Sequence, residues 1–295
     1  MEIRPFTLHD AFALADSHNQ IYEQPISPAG LVEKIRQVMA ENGRCWTITT
    51  PQKQPIGYAT IEPVTGLPGL VDIDGLIDPQ WQRRGLGSRL LGHMGRQLMG
   101  SSIHQLSHHL TNLDSPAAHF LRHHAFQISH QEVNLLLAKW DALPLPQPPS
   151  LRCRVAPVGQ LERAKALFNQ LYEAVFGPHP WYQPYSQAEL TATLQHPTDM
   201  RFLWEGQQVI GMVWLHYPTA DEAEIEPIGI VPHKQGRGYG RFLLLDTLHL
   251  LHKQAIKQVH LGLWATNQPA LSLYQSLGFQ HHNTRTFFTK TIATP

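Results

Sequence analysis

The sequence predicts an α/β protein made of two tandem, layered domains. Three observations carry that reading: a proline-rich stretch divides the chain nearly in half, landmarks recur at a nearly constant offset, and each half places a glycine-rich turn between an apolar strand and a helix. A chain of 295 residues is also long for one hydrophobic core, because single cores stop growing near about 250 to 300 residues. The divider is "DALPLPQPPS", residues 141–150, with four prolines and no periodicity, the composition of an extended, semi-rigid linker. The expected boundaries are a first domain over 1–142, a linker over 143–150 and a second domain over 151–295.

The halves repeat one another. "NQIYE" at 19–23 returns as "NQLYE" at 169–173, and further on the offset settles at 153: Gln82, Gly85 and Gly87 fall on Gln235, Gly238 and Gly240, Ile77 on Ile230, and Pro116, Ala117 and Phe126 on Pro269, Ala270 and Phe279. So constant an offset marks an internal duplication. In the second half, apolar periodicity predicts a strand near 152–156, helices over 160–175 and 186–195, and strands over 200–205, 208–216 and 223–231. After the glycine turn come a helix over 238–255, a strand over 257–264, a helix from Pro269 to Leu277 and a last strand over 285–292. Pro269 suits a first helical turn, and Gly278 suits the left-handed position past the helix end. Strands and helices in this mixture make a layered α/β domain.

Composition narrows the function. Apolar residues make up 42% and charged residues 16%, ordinary values for a soluble protein, and no apolar run approaches the roughly 18 to 20 residues that cross a bilayer; no membrane partner is expected. Lys+Arg and Asp+Glu balance at 23 each without a basic stripe, which argues against nucleic acid. "MEIRPFTLHDAF" has no basic segment followed by an apolar core, so the expected location is cytoplasmic, where Cys45 and Cys153 stay core thiols. Among the 19 histidines, His104, His108 and His109 lie in an expected strand, where His108 and His109 point to opposite faces. With no acidic or cysteine ligand beside them, no metal is expected.

"QGRGYGR", residues 235–241, ends a strand and opens a helix. Such a turn presents free backbone N–H groups at the positive end of a helix dipole, and glycine admits a ligand close to the backbone. It is therefore an anion cradle or, more simply, a tight turn that needs glycine for its dihedrals. It lacks the Gly-Lys-Ser/Thr of a P-loop and the acidic residue of a dinucleotide fingerprint. Upstream, "AEIEPIGIVP" puts Glu224, Glu226 and Ile228 on one strand face, while Pro227 cannot complete a ladder bond. Downstream, "ATNQPALSLYQSLGF" places Tyr274 on a short helix.

These pieces, in this order, resemble the GCN5-related N-acetyltransferase (GNAT) family, whose signature is Gln/Arg-x-x-Gly-x-Gly/Ala; here it reads Gln235, Gly238 and Gly240. The resemblance covers both halves. It implies two domains, each with a mixed, mostly antiparallel central sheet flanked by helices, and an acetyl-CoA-dependent transfer to the primary amine of a small molecule. It assigns Ile228, Gly229 and Ile230 to the pantetheine arm, Gln235, Gly236, Arg237, Gly238, Tyr239, Gly240 and Arg241 to the pyrophosphate, and Asn267 to the cofactor or the helix start. Glu224 becomes the base, with Glu226 in reserve, and Tyr274 the acid that protonates the leaving sulfur. Its ordinary pKa, about 10, keeps it protonated at neutral pH.

The first half implies a second CoA site at Leu76, Ile77, Gln82, Arg83, Arg84, Gly85, Leu86, Gly87 and Ser88. At the same offset, however, Tyr274 falls on Leu121, Glu224 on Val71 and Asn267 on Asp114, so this domain is expected to be catalytically degenerate unless Asp72 or Asp74, with His119 or His123, deputises. A degenerate first domain followed by an active second one resembles the mycothiol synthase type of the family, which acts on an amino-sugar-linked cysteinyl amine. Trp181, Tyr182, Tyr185 and His179 would wall the acceptor pocket or pack between domains. The readings left open are a non-catalytic acyl-CoA-binding or sensing protein and a nucleotide-binding protein of another family. The expected state is a monomer, the duplication standing in for a partner subunit.

Overall fold

The computed structural model describes residues 1–139, 143–180, 182–194 and 196–292; Trp181 lies outside them. The chain folds as two compact units. The first takes residues 1–129 and the C-terminal stretch from Phe287, and the second takes His130–Thr286.

In the first unit β1 (Glu2–Pro5), α1 (Asp10–Asn19), α2 (Pro28–Ala40), β2 (Arg44–Thr49), β3 (Pro55–Pro63), β4 (Leu70–Ile77), α3 (Leu86–Leu98), β5 (Gln105–Leu110) and α4 (Pro116–His123) lead into β6 (Gln127–Leu137). Strands β1 to β5 lie in sequence order, antiparallel except for the parallel pair β4/β5. Helix α2 shows why these segments are helical: Ser27 Oγ accepts from Gly30 N at 3.0 Å, Pro28 occupies the first turn, and Leu31, Ile35 and Val38 bury one stripe. Asp10, 2% exposed, opens α1 and takes bonds from Arg4 (2.6 and 2.8 Å), Thr7 N and Thr47 Oγ1. Burial pushes its carboxyl up, but these donors outweigh that and hold it below its ordinary value. Asp10→Ala removes the carboxylate from Arg4, which keeps only its bond to Pro5 O, and the acceptor from Thr47, so urea unfolding should show a loss of about 3 kcal/mol.

The second unit contains β7 (Cys153–Pro157), α5 (Leu161–Phe176), α6 (Gln187–Thr193), β8 (Met200–Glu205), β9 (Gln208–Thr219), β10 (Glu222–Ile230), α7 (Tyr239–Lys253), β11 (Gln258–Trp264), α8 (Gln268–Ser276) and the start of β12 (Gln280–Thr291). Its sheet runs β12-β6-β11-β10-β9-β8-β7. Phe168, Phe202, Trp214, Leu243 and Leu248 form the middle of its core, all nearly inaccessible. Gly278 takes φ 94°, and Phe279 N bonds back to Tyr274 O, so α8 ends as the sequence predicts. The strand beyond it starts at Gln280, earlier than expected, because that left-handed turn feeds straight into extended chain.

These units differ from the contiguous halves. Strand β6 leaves the first half and pairs Glu132–Leu137 antiparallel with Val259–Trp264 of β11, while β12 from Phe287 onward belongs to the first unit. The pairing comes from unsatisfied strand edges, which no local pattern in the sequence announces. Residues 143–150 run beside α7: His249 Nε2 lies 3.0 Å from Pro144 O, and Pro149 Cγ lies 3.7 Å from where a Gly238 Cβ would stand. Among the described residues no helix is long and apolar enough to cross a membrane.

Candidate active site

The site begins where two parallel strands part. Strand β10 pairs with β11 only over Glu222–Ile225, and the antiparallel pairing with β9 shifts register between Ile225 and Ile228, where Pro227 interrupts the ladder. Val231 N bonds to Ile210 O. By alternation along the strand, Gly229 also faces β9, whereas Ile228 and Ile230 turn their backbone groups into the gap left by β11. Gly229 has another reason to be glycine: a Cβ there would stand 2.7 Å from Val175 Cγ1 of α5.

At the end of β10, Gln235 Nε2 donates to Ile230 O at 2.9 Å and Gln235 N to Pro232 O. Through these two bonds Gln235 braces the strand end. Beyond it, Gly236 (φ 72°) and Gly238 (φ 83°) turn the chain into α7. The amides of residues 236–241 have no acceptor among the described residues, and nothing stands within 4 Å of a Cβ built on Gly236. This is an exposed cradle of six N–H groups at a helix N-terminus. Side chains around it are fixed: Tyr239 Oη donates to Glu205, Lys234 Nζ lies 2.6 Å from the same carboxylate, and Arg241 reaches Ser276 Oγ at 3.1 Å. Asn267 caps α8 through Ala270 N at 3.3 Å.

Glu224 and Glu226 are brought together on one face of β10, close enough for the Glu224 charge to act on the Glu226 carboxyl. Glu226 is solvent-exposed on β10. Partial desolvation by the surrounding protein, then the Glu224 and Glu132 charges, push it up to about 7 against the pull of Arg285. Tyr172 and Tyr185 face the same pair; burial and, for Tyr185, the nearby Glu226 charge raise its phenol to about 12. Tyr274, 7% exposed, is raised to about 12 by burial alone, and its hydroxyl has no hydrogen-bond partner among the described residues. Tyr185 packs on Phe168, Tyr172 and Trp214, Tyr182 on Tyr172, and His179 on Trp264 at 4.3 Å, all within the second unit. Sequence reasoning missed Glu132, Arg285 and Tyr172, the first because β6 carries it in from the first half.

The profile of the acetyltransferase (GNAT) family matches residues 11–126 and again 164–279. The chain belongs to the GNAT family. Among curated proteins it is similar to the mycothiol acetyltransferase of Nocardioides sp., 28% identical over 71% of this chain and 77% of that one. It is also similar to that of Renibacterium salmoninarum, 27% identical over 81% and 72%. A solved GCN5-related N-acetyltransferase from Sphaerobacter thermophilus superposes with a TM-score of 0.72 at 17% identity, covering 100% of this chain and 96% of its own. A tandem GNAT protein from the clavulanic acid biosynthesis pathway gives 0.66 at 15%, covering 100% and 99%. At those identities the two structures speak for the fold.

The first GNAT unit repeats the turn, with Leu121 and Val71 at the positions that correspond to Tyr274 and Glu224. Gln82 Nε2 donates to Ile77 O at 2.9 Å, repeating Gln235, and the amides of residues 83–88 lack acceptors among the described residues. Leu76 is buried and, like Gly229, faces its antiparallel neighbour, since Asp78 N bonds to Ile56 O. Strands β4 and β5 pair only over Leu70–Asp72, and His108 Nδ1 lies 2.6 Å from Ile73 O where they part. Ser88 Oγ lies 2.8 Å from His124 Nε2. Leu121 is buried, and His119 and His123 are exposed on α4. Asp74 is a poor base: burial pushes it up, but Lys34 at 2.7 Å and Gly75 N outweigh that and hold it low. No cluster of three or more His, Cys, Asp or Glu among the described residues could hold a metal ion.

Proposed function

We propose that this acetyltransferase uses acetyl-CoA and acts through its second unit, transferring the acetyl group to the primary amine of a small molecule by direct attack. The observation that carries this reading is the divergence of β10 from β11 after Ile225, flanked at one end by the free amides of 236–241 and at the other by the Glu224–Glu226 pair. The residues fit the donor: a pyrophosphate suits the cradle, the N–H and C=O of Ile228 suit the amides of a pantetheine arm, and the unpartnered Tyr274 hydroxyl suits a thioester sulfur. The acceptor enters as an ammonium, loses its proton to the Glu224–Glu226 pair and attacks the thioester carbonyl. Backbone N–H in the gap stabilises the oxyanion, and Tyr274 gives its proton to the departing thiolate.

The first unit is read as a scaffold, because Leu121 cannot protonate a sulfur and Asp74 is tied to Lys34. The relatives named mycothiol acetyltransferase support an amino-sugar-linked cysteinyl amine as the first acceptor to try. Formation of CoA from acetyl-CoA with a panel of such amines tests the reading; tight CoA binding with no turnover on any of them would favour a sensing role instead. The cradle has its own test. Gly238→Val forces a branched residue to φ 83° beside Pro149, so calorimetry should show CoA affinity falling about tenfold or more.

A further inference from the structure

The strand that crosses from the first half brings a charged residue into this site. On β6, Asn134 lies opposite Gly262 and Glu132 opposite Trp264; two residues apart, they share one face of the sheet. A Cβ on Gly262 would stand 3.2 Å from Asn134 Oδ1 and 3.7 Å from Glu226 Oε2, so Asn134 and Glu226 meet above that glycine. Glu132 lies one step further along the same face, about 7 Å away. It is itself half-buried and raised by burial, with Arg285 pulling the other way; Arg285 Nε lies 3.8 Å from its Oε2. The groups facing Glu226 are then Glu224 on its own strand, Glu132 on β6, Arg285 on β12, Tyr172 on α5 and Tyr185 ahead of α6. His216 on β9 lies 2.9 Å from the Glu226 carbonyl. Three carboxylates and one guanidinium therefore cluster at Glu226.

We propose that Glu132, opposed by Arg285, is a positioning residue that controls the charge of the Glu224–Glu226 pair. The role deepens the proposed function and rests on that pair being the base. Glu132 touches no reacting atom; its negative charge makes the pair hold a proton more tightly, and Arg285 makes it release one. The arrangement also explains why a catalytic unit uses a strand from outside its own half: β6 supplies a charge that β11, with Gly262 and Trp264 at these positions, cannot.

The experiment is the pH dependence of kcat/KM for the full-length chain, from about pH 5.5 to 9, with CoA formation as readout. Glu132→Gln should move the acid limb down by about 0.5 to 1 unit, Arg285→Gln should move it up by a similar amount, and Glu132→Asp should keep it near wild type. A merely structural role would lower the whole curve without displacing it. If Glu226→Gln and Glu224→Gln abolish turnover while neither limb moves, or both move the same way, the Glu132 role is overturned and the proposed function stands. If those two variants turn over at the wild-type rate, the base assignment fails and takes this inference with it. Should Glu132→Gln misfold by circular dichroism, Glu132→Ala and Arg285→Gln are read in its place, with the opposite displacements still required.

Discussion

Tyr274→Phe is expected to lower kcat about 100- to 10,000-fold while leaving CoA affinity and folding close to wild type. The residue is 7% exposed, lies on α8 between Asn267 and the Gly278 turn, and packs against Phe279. Loss of the hydroxyl leaves that packing in place, and because the hydroxyl has no partner among the described residues, no protein group is left unsatisfied. Burial raises its pKa to about 12, so it stays protonated across the working range and can only donate. Turnover limited by proton delivery to a leaving thiolate therefore falls, whereas calorimetric CoA binding does not. Wild-type turnover in the variant would reject the acid role. Equal losses in kcat and CoA affinity would instead mean that Tyr274 serves only to bind the arm.

What could be read from the sequence, and what could not, follows from the range of the interactions. The glycine turn, the helix ends and the proline that interrupts β10 are local, each set by residues within about one turn of themselves, and the duplication displays them twice. Alternation correctly placed Glu224 and Glu226 on one face, yet it could not show that the gap beyond them is lined by Ile228 and Ile230 but not Gly229, since that depends on which neighbour Val231 bonds. Gln235 reads as a ligand contact from the motif; what the motif does not show is that its amide closes on Ile230 O, as that of Gln82 does on Ile77 O. Glu132 was beyond reach altogether: it arrives on β6, whose pairing with β11 joins segments more than 100 residues apart, and the approach of Arg285 to it depends on that arrival. The aromatic stretch near 182–185 looked equally suited to sugar stacking and to packing between domains. Its rings pack on Phe168, Tyr172 and Trp214 of the same unit.

The second large effect is a trade between activity and stability at the carboxylate pair. Glu224→Gln and Glu226→Gln should each reduce kcat/KM about 100-fold or more, and wild-type kcat/KM should rise with pH through about 7, where Glu226 loses its proton. The two carboxyls serve one proton transfer in the proposed reaction, so the double variant should be little worse than the worse single one. Stability should respond with the opposite sign. Glu226 is raised in the folded chain from an ordinary value of 4.5 to about 7, so the fold favours its protonated form. That contribution is complete below about pH 4.5 and is lost as pH rises through 7. Glutamine keeps the neutral shape at every pH. Glu226→Gln should therefore melt at least a few degrees (roughly 2–4 °C) above wild type at pH 8, with no advantage at pH 4.5. A gain that persisted at low pH would have another origin, such as repacking around the pair. A loss at pH 8 would mean that the charged carboxylate is bound by a donor and that the pair is not strained when ionised. A variant that gives up turnover and gains stability only above neutral pH is what a base held among like charges should produce.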